Sequence, residues 1–168
     1  INDFTGFCFN ENFNIEKIVN YKYDKLKFCE AKFKKEANFN DFIFVKSVDF
    51  TNVEFKSSVN FNNCIFLNNC IFNKTIFNEK YINEKVFEKA NFNGQKLIVE
   101  KCAYFPRLDG VVFSPYTKFI LKDINYSKKN CLCGKNNYKI ARIQAKQTED
   151  NENMSYYYYN ERNYTSNF

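Results

Sequence analysis

The residues best suited to chemistry in this sequence are two closely spaced cysteines, Cys131 and Cys133, followed by a glycine. Thiolates at this spacing can bind a metal ion or exchange a disulfide. A structural zinc site needs four ligands, however, and no second spaced pair accompanies these two; the chain also has no histidine. We therefore expect both thiols to lie in an inert linker, with metal binding and redox chemistry as the alternatives. No cofactor is predicted.

Other catalytic patterns are missing. Without histidine the commonest general base and the histidine-based triads are excluded. The sequence has no P-loop, GxGxxG or nucleophile-elbow motif, and acidic residues such as Asp41, Asp49 and Glu54 are too dispersed to form a paired-carboxylate site. The tyrosine run at 156–159 is better explained as a half-buried helix face than as a surface for stacking bases. The chain is predicted not to be an enzyme.

The strongest pattern is a phenylalanine that recurs in steps alternating between five and six residues. A small or apolar residue stands two positions before each one, as Ala31 does before Phe33. Apolar residues two apart, separated by polar corners such as Asn62-Asn63, indicate short extended segments and frequent turns. The pattern predicts a β-solenoid. The inward phenylalanines are Phe28, Phe33, Phe39, Phe44, Phe50, Phe55, Phe61, Phe66, Phe72, Phe77 and, after an interruption, Phe92.

The segments EANF, TNVEF, SVNF and KANF resemble the units of the pentapeptide-repeat family, in which a small residue, a polar residue and a central Phe or Leu recur. The resemblance is strong over residues 21–97 and weak over 4–20 and 98–126. The alternation of five and six is similar to that of a Phe-rich bacterial subfamily. This resemblance implies a mainly β fold, a right-handed quadrilateral β-helix with four short faces in each coil.

Two steps of five and two of six make a coil of 22 residues, which predicts how the inward rings stack. The predicted stacks are Phe28–Phe50–Phe72, Phe33–Phe55–Phe77, Phe39–Phe61 and Phe44–Phe66. Continuing this register would bury Lys80 and Lys85 without partners. We therefore predict a bulged corner or loop near residues 78–86, after which Ala90 and Phe92 restore the register.

Beyond residue 97 the repeat weakens, and helical spacing appears near the C-terminus. The degenerate coils are expected at Cys102 with Tyr104, Val111 with Phe113 and Ile124 with Tyr126. Tyr138, Ala141 and Ala145 then share one helical face. This last stretch resembles a helical hairpin that follows the repeats in some bacterial members of the family, and its expected role is to cap the open end of the solenoid. The resulting assignment is a solenoid over 1–126, a linker over 127–137 and a helical hairpin or cap over 138–163.

Outward residues beside the inward phenylalanines are mostly polar, with one exception around Phe44 and Phe66. There the outward residues are Ile43, Val45, Ile65 and Leu67, here called the apolar strip, and Ile71 and Ile76 lie on the neighbouring faces of the next coil. Contiguous exposed apolar residues usually mark a contact surface. Three covers are open: the C-terminal helices or a crossing loop of the same chain, a second copy in a homodimer, or a foreign protein.

Charge and targeting features suggest a compartment but no partner. The net charge of +6 is weak evidence for nucleic acid, because 22 of the 25 basic residues are lysines scattered among Asp, Glu and Asn. No apolar stretch is long enough to cross a bilayer, and the N-terminal residues lack the features of a secretory signal. Inward cysteines such as Cys64 and Cys70 favour a reducing compartment. We expect a cytoplasmic bacterial protein, with membrane association only through a segment outside these residues.

The leading function is a non-enzymatic scaffold that binds another protein or itself. The resemblance also implies an alternative, since the best-known members of the family imitate duplex DNA and bind gyrase. Such mimicry needs a strongly negative rod, whereas this chain is net positive. A third interpretation is membrane association, either as the soluble part of a longer protein or through basic residues on an anionic leaflet. The sequence alone identifies no partner.

Overall fold

Short parallel strands wind into a solenoid of about five coils, and two α-helices follow it. A computed structural model describes residues 3–17 and 26–166, so the first five residues of the predicted regular repeat, 21–25, lie outside the described residues. The strands are β1 (Cys8–Phe9), β2 (Phe13–Asn14), β3 (Leu26–Lys27), β4 (Lys32–Phe33), β5 (Ala37–Asn38), β6 (Ile43–Phe44), β7 (Val48–Asp49), β8 (Glu54–Phe55), β9 (Val59–Asn60), β10 (Ile65–Phe66), β11 (Cys70–Asn73), β12 (Asn91–Phe92), β13 (Lys96–Glu100), β14 (Val112–Phe113) and β15 (Lys118–Lys122). The helices are α1 (Cys131–Gln147) and α2 (Asn151–Ser166), with 3₁₀ turns at Ile15–Lys17, Glu79–Tyr81 and Lys128–Asn130.

The strands form four parallel sheets. Their orders are β1-β4-β8, β2-β5-β9, β14-β12-β10-β6 and β15-β13-β11-β7-β3. Paired residues such as Phe33 and Phe55 are 22 positions apart, which confirms the predicted length of a regular coil. The mainly β solenoid with a C-terminal helical pair is therefore confirmed. The right-handed sense and the quadrilateral cross-section stay predictions.

The predicted phenylalanine stacks are confirmed and fill the interior. Phe28 stacks on Phe50 with 5.4 Å between ring centroids, and Phe50 stacks on Phe72 at 5.0 Å. The remaining predicted stacks have these centroid distances: Phe33–Phe55 5.1 Å, Phe55–Phe77 5.2 Å, Phe39–Phe61 4.7 Å and Phe44–Phe66 4.7 Å. These rings are almost completely buried, and neighbouring stacks meet edge to face. The stacks therefore form one continuous aromatic core.

The alternation of five and six residues has a backbone cause. In each five-residue step the second residue after the phenylalanine adopts a positive φ, as Asn63 does at 57° and Lys74 at 53°. The equivalent residues in the earlier steps are Glu30, Asp41 and Asn52. A left-handed residue turns the chain sharply enough to save one position, whereas the six-residue corners use a longer bend. Asn and Asp tolerate this conformation better than Lys or Glu.

Replacing Lys74 with glycine should stabilise the protein by about 0.5–1 kcal/mol, because glycine adopts positive φ without steric strain. The matched control is Lys46→Gly, at an exposed lysine in a six-residue step outside the left-handed positions. That change should lower the free energy of unfolding by up to about 1 kcal/mol, since it only adds flexibility to the unfolded chain. Urea denaturation of both variants tests the difference, and equal effects would contradict the assigned role of the left-handed corner.

The predicted interruption near residues 78–86 is confirmed. The chain makes a 3₁₀ turn at Glu79–Tyr81, and both Lys80 and Lys85 point into solvent. Ile82 and Phe87 are nevertheless buried, and the Phe87 ring stacks on Phe61 at 5.0 Å. The coil is longer here, since Phe66 pairs with Phe92, 26 positions later. The extra residues let the lysines loop outward while the aromatic core continues.

The later coils follow the sequence assignment only in part. Cys102, Ile124 and Tyr126 are buried as predicted, whereas Val111 and Phe113 are half-buried, although Phe113 pairs with Phe92 in register. Tyr104, however, is half-buried, and Phe105 beside it takes the inward place and stacks on Phe87 at 5.5 Å.

Two five-residue strands account for much of the late core. Strands β13 and β15 alternate inward and outward side chains and bury Leu97 and Val99 on Phe119 and Leu121. The repeat of five and six residues did not predict that these residues are buried. In a longer strand every second side chain points inward, so the spacing of buried residues is two.

Helix α1 begins at Cys131, so the predicted linker over 127–137 is wrong in its second half, and α2 continues to Ser166. Residues 131–137 are mostly polar or small in the sequence, yet several of them form a closely packed helix face. A Cβ added to Gly134 would lie 2.7 Å from the ring of Tyr126, so only glycine allows the helix to approach the last coil this closely. None of the described helices has the length and apolar character needed to cross a membrane.

Candidate interaction surfaces

The structure brings the four residues of the apolar strip together. Strands β6 and β10 are neighbours in one sheet, with Ile43 paired to Ile65, and their phenylalanines point inward. Val45 and Leu67 follow these strands at the same corner of two successive coils. They are 40% and 44% exposed, while the two isoleucines are half-buried. The strip is thus two coils high, with about 4.8 Å between equivalent residues.

The apolar strip ends at a polar residue within its own sheet, but the adjoining sheet carries further apolar residues. Beside Ile65 the next strand of the sheet presents Asn91. On the adjoining five-stranded sheet Ile71, Ile98 and Ile120 pair in a half-buried column. Ile98 and Ile120 were not predicted as outward apolar residues. Strand alternation in KLIVE and KFILK is the signal that would have found them.

The described helices do not cover the apolar strip. They pack at the C-terminal end of the solenoid, where α1 contacts β15. Strand β6 is the opposite edge of its sheet from β14, and Val45 and Leu67 remain exposed. The described part of the chain therefore does not cover the apolar strip with its own helices or with a crossing loop. A second copy and a foreign protein remain as possible partners.

Tyrosines of α2 instead complete the hydrogen bonds of the last strand. The buried Tyr157 hydroxyl accepts a hydrogen bond from the Leu121 N–H (3.1 Å) and donates one to the Phe119 carbonyl (3.0 Å). The Tyr156 hydroxyl accepts from the Asp123 N–H at 3.2 Å. Burial raises the pKa of Tyr157 above its ordinary value, which keeps the hydroxyl protonated as a donor. The phenols thus replace the peptide groups of a further coil.

Side chains beyond the tyrosine pair continue this cap. The Gln144 amide of α1 donates to the carbonyls of Thr117 (2.7 Å) and Ser114 (3.0 Å). Near the end of α2, the Tyr164 hydroxyl accepts from the Tyr126 N–H at 3.2 Å. The capping role expected for the hairpin agrees with these contacts. These hydrogen bonds could not be predicted from the sequence, because the partners of the side chains are backbone groups far away in the chain.

The two closely spaced cysteines lie on the buried side of α1 and not in an exposed linker. Cys131 and Cys133 are both buried, and the Cys133 thiol is 3.4 Å from the Phe105 carbonyl. Burial raises the pKa of Cys133 to about 12, so it is a protonated thiol at neutral pH and a poor nucleophile. Within residues 3–17 and 26–166 no cluster of three or more acidic or cysteine side chains is arranged to hold a metal ion.

Cysteines inside the solenoid have a packing role. Cys64 and Cys70 are fully buried, as predicted, and the Cys64 thiol lies 2.9 Å from the Phe39 carbonyl. Thr75 occupies an equivalent small inward position and donates its hydroxyl to the Phe50 carbonyl at 2.8 Å. Burial raises the pKa of Cys64 to about 12. Cys64 and Thr75 are therefore small inward side chains that satisfy carbonyls of the preceding coil.

Comparisons of the chain with protein-family models, with curated proteins and with solved structures found no match. The resemblance to pentapeptide repeats accordingly depends on the repeat itself.

Proposed function

We propose that this chain is a non-enzymatic protein-binding scaffold of the pentapeptide-repeat type, which docks its partner through the apolar strip. The observation that carries the proposal is the alignment of Ile43 with Ile65, and of Val45 with Leu67, on successive coils of one surface. Exposed aliphatic side chains in register favour protein contact over solvent.

Rigidity supports a scaffold role. Each coil is hydrogen-bonded to the next, and the rings of Phe44 and Phe66 stack directly behind the strip at 4.7 Å with an interplanar angle of 2°. A surface held in this way loses little conformational freedom when a partner binds, so more of the contact energy appears as affinity. The absence of histidine from the sequence and the burial of Cys64, Cys70 and Cys133 support a non-enzymatic role.

A second copy of the chain is the partner that the strip favours. Its two rows carry the same kinds of side chain, an isoleucine followed by a valine or leucine. A twofold axis through the strip would place each row of one copy against the other row of its partner, as an isologous contact requires. None of the four residues is charged, so the pairing brings no like charges together.

Changing Ile65 to aspartate should convert a dimer into a folded monomer, because two carboxylates would be brought to the centre of the apolar contact. Light scattering measures the mass, and far-UV circular dichroism checks the fold. The matched control is Ile76→Asp, at an isoleucine that is 52% exposed on another sheet, beside Glu54. That variant should remain a dimer.

A monomeric wild-type protein would reject self-association. The wild-type chain would then be used to capture proteins from a lysate, with Ile65→Asp and Ile76→Asp as paired baits. A partner lost only with Ile65→Asp would keep the strip as a docking surface for a foreign protein. Equal capture by both variants would overturn the role of the strip.

A further inference from the structure

One segment of the chain carries basic residues without any acidic ones. Residues 124–148, which include α1, contain six lysines and arginines and no acidic residue. Residues 1–123 have 18 basic and 15 acidic residues, and residues 149–168 have one basic and four acidic residues. The solenoid is therefore +3, residues 149–168 are −3, and only the segment 124–148 lacks acidic residues. A scattered distribution of lysines, as the sequence analysis described it, is therefore true of the solenoid but not of α1.

Helix geometry gathers the cations of α1 with two exposed aliphatic residues. At about 100° per residue, Leu132, Lys135, Lys139, Ile143 and Lys146 fall within an arc of about 80°. We call these five residues the basic face. Leu132 and Ile143 are 60% and 54% exposed, and the face is about 21 Å long.

The opposite side of α1 is fully engaged with the protein. Cys133, Asn137, Tyr138, Ala141 and Gln144 are buried against the last coils and α2. The basic face can therefore not turn inward.

No acidic side chain of the described residues forms an ion pair with these lysines. Arg142, at the margin of the arc, is paired with Glu161 at 2.7 Å, whereas Lys135, Lys139 and Lys146 have no ion-pair partner in residues 3–17 and 26–166. Asp150, just past the end of the helix, is bound by Lys118 at 3.2 Å. The face thus combines three uncompensated cations with two water-exposed aliphatic side chains.

We propose that the basic face binds the anionic surface of a lipid bilayer. Lysines near such a surface are attracted by its negative potential, and aliphatic side chains beside them enter the headgroup layer. Both halves of the face are used in this way. On a nucleic acid the lysines would contact phosphates, but Leu132 and Ile143 would find no apolar surface to bury against.

Residues of α2 continue the same surface chemistry. Lys135 lines an open groove with Tyr158, Tyr159, Glu161 and Arg162, and the Glu161 carboxylate in it is paired with Arg142. The guanidinium of Arg162 lies over the Tyr158 ring at 5.6 Å. Tyrosine and arginine both place an apolar body and a polar tip at a membrane interface. The groove therefore widens the face. The proposal is independent of the apolar strip, which lies on β6 and β10.

Vesicle sedimentation tests the proposal with the full chain. The wild type should bind vesicles of phosphatidylcholine containing about one third phosphatidylglycerol, bind pure phosphatidylcholine far more weakly, and dissociate as ionic strength rises. The triple variant Lys135→Gln, Lys139→Gln, Lys146→Gln should bind about 100-fold more weakly, at about fivefold per lysine. The matched control replaces three exposed, unpaired lysines of the solenoid, Lys34, Lys46 and Lys96, with glutamine, and should bind as the wild type does.

A second variant separates lipid from other anions. Leu132→Ser with Ile143→Ser should weaken vesicle binding by at least about tenfold, because two apolar side chains no longer enter the bilayer. Unchanged vesicle binding by this variant would overturn the aliphatic part of the proposal. The whole proposal would be overturned if the wild-type protein did not bind anionic vesicles, or if it bound duplex DNA or RNA more tightly than vesicles. Circular dichroism shows that each variant is folded.

Discussion

Replacing Phe61 with alanine is expected to lower the free energy of unfolding by about 3–5 kcal/mol. Its ring is fully buried and stacks on Phe39 at 4.7 Å and on Phe87 at 5.0 Å. It also meets Phe50 and Phe72 edge to face. Because all these neighbours are held by their own stacks, they cannot collapse into the cavity, and the loss should be near the upper end of the range. Chemical denaturation followed by circular dichroism measures it.

Phe7 provides the control for this prediction. Its ring is 53% exposed and meets only the neighbouring rings Phe4 and Phe9 within the described residues. Phe7→Ala should therefore cost no more than about 1 kcal/mol, because most of the ring is already in water. Similar losses for the two variants would contradict the assignment of the central stack as the main source of stability.

Removing the hydroxyl of Tyr157 by changing it to phenylalanine should cost about 2–4 kcal/mol. The change leaves the Leu121 N–H and the Phe119 carbonyl without their partner in a buried site, at about 1–3 kcal/mol for each group. The ring itself remains, so packing against Tyr138 is preserved. Denaturation gives the loss, and faster hydrogen exchange of the Leu121 amide locates it at the end of the solenoid.

Tyr159→Phe is the matched control, since this neighbouring ring is 65% exposed. Its loss should be within about 0.5 kcal/mol of zero. If Tyr157→Phe is no more harmful than Tyr159→Phe, or if exchange at Leu121 is unchanged, the phenol does not secure the strand edge.

The regular solenoid was predictable because one periodicity determines it. A phenylalanine such as Phe61 appears in the sequence at the same phase as Phe39, and the 22-residue coil follows from that phase alone. The interruption was predictable for an energetic reason, since burying Lys80 or Lys85 is too costly. Phe105 could not be assigned in advance, because Tyr104 beside it is also aromatic and the corner geometry decides which one turns inward.

The start of α1 was missed because its buried face is polar and small. Asn137 accepts from the Leu108 N–H at 2.9 Å and donates to the Pro106 carbonyl at 2.9 Å, and Gly134 allows close packing. Neither residue type produces an apolar helical period. Long-range backbone partners of this kind are invisible in one sequence.

The apolar strip was identified from the sequence, whereas its exposure and the basic face were not. Outward positions such as Ile65 and Leu67 follow from strand alternation, but their covering depends on where the helices pack. The basic face needed the helix boundaries first. Once α1 is known to begin at Cys131, Leu132 and Lys135 fall on the same side as Ile143.

The phenol contacts at strand β15 have a consequence for growth of the β-structure. A parallel strand with free N–H and carbonyl groups is a template on which an unfolded chain can add as the next layer, which is how cross-β fibrils elongate. In this protein the template is already occupied by the hydroxyls of Tyr156 and Tyr157, whose rings belong to a helix and cannot pass the pattern on. The helical pair thus occupies this strand edge, and we expect it to stop a further strand from adding there and seeding aggregation of the solenoid.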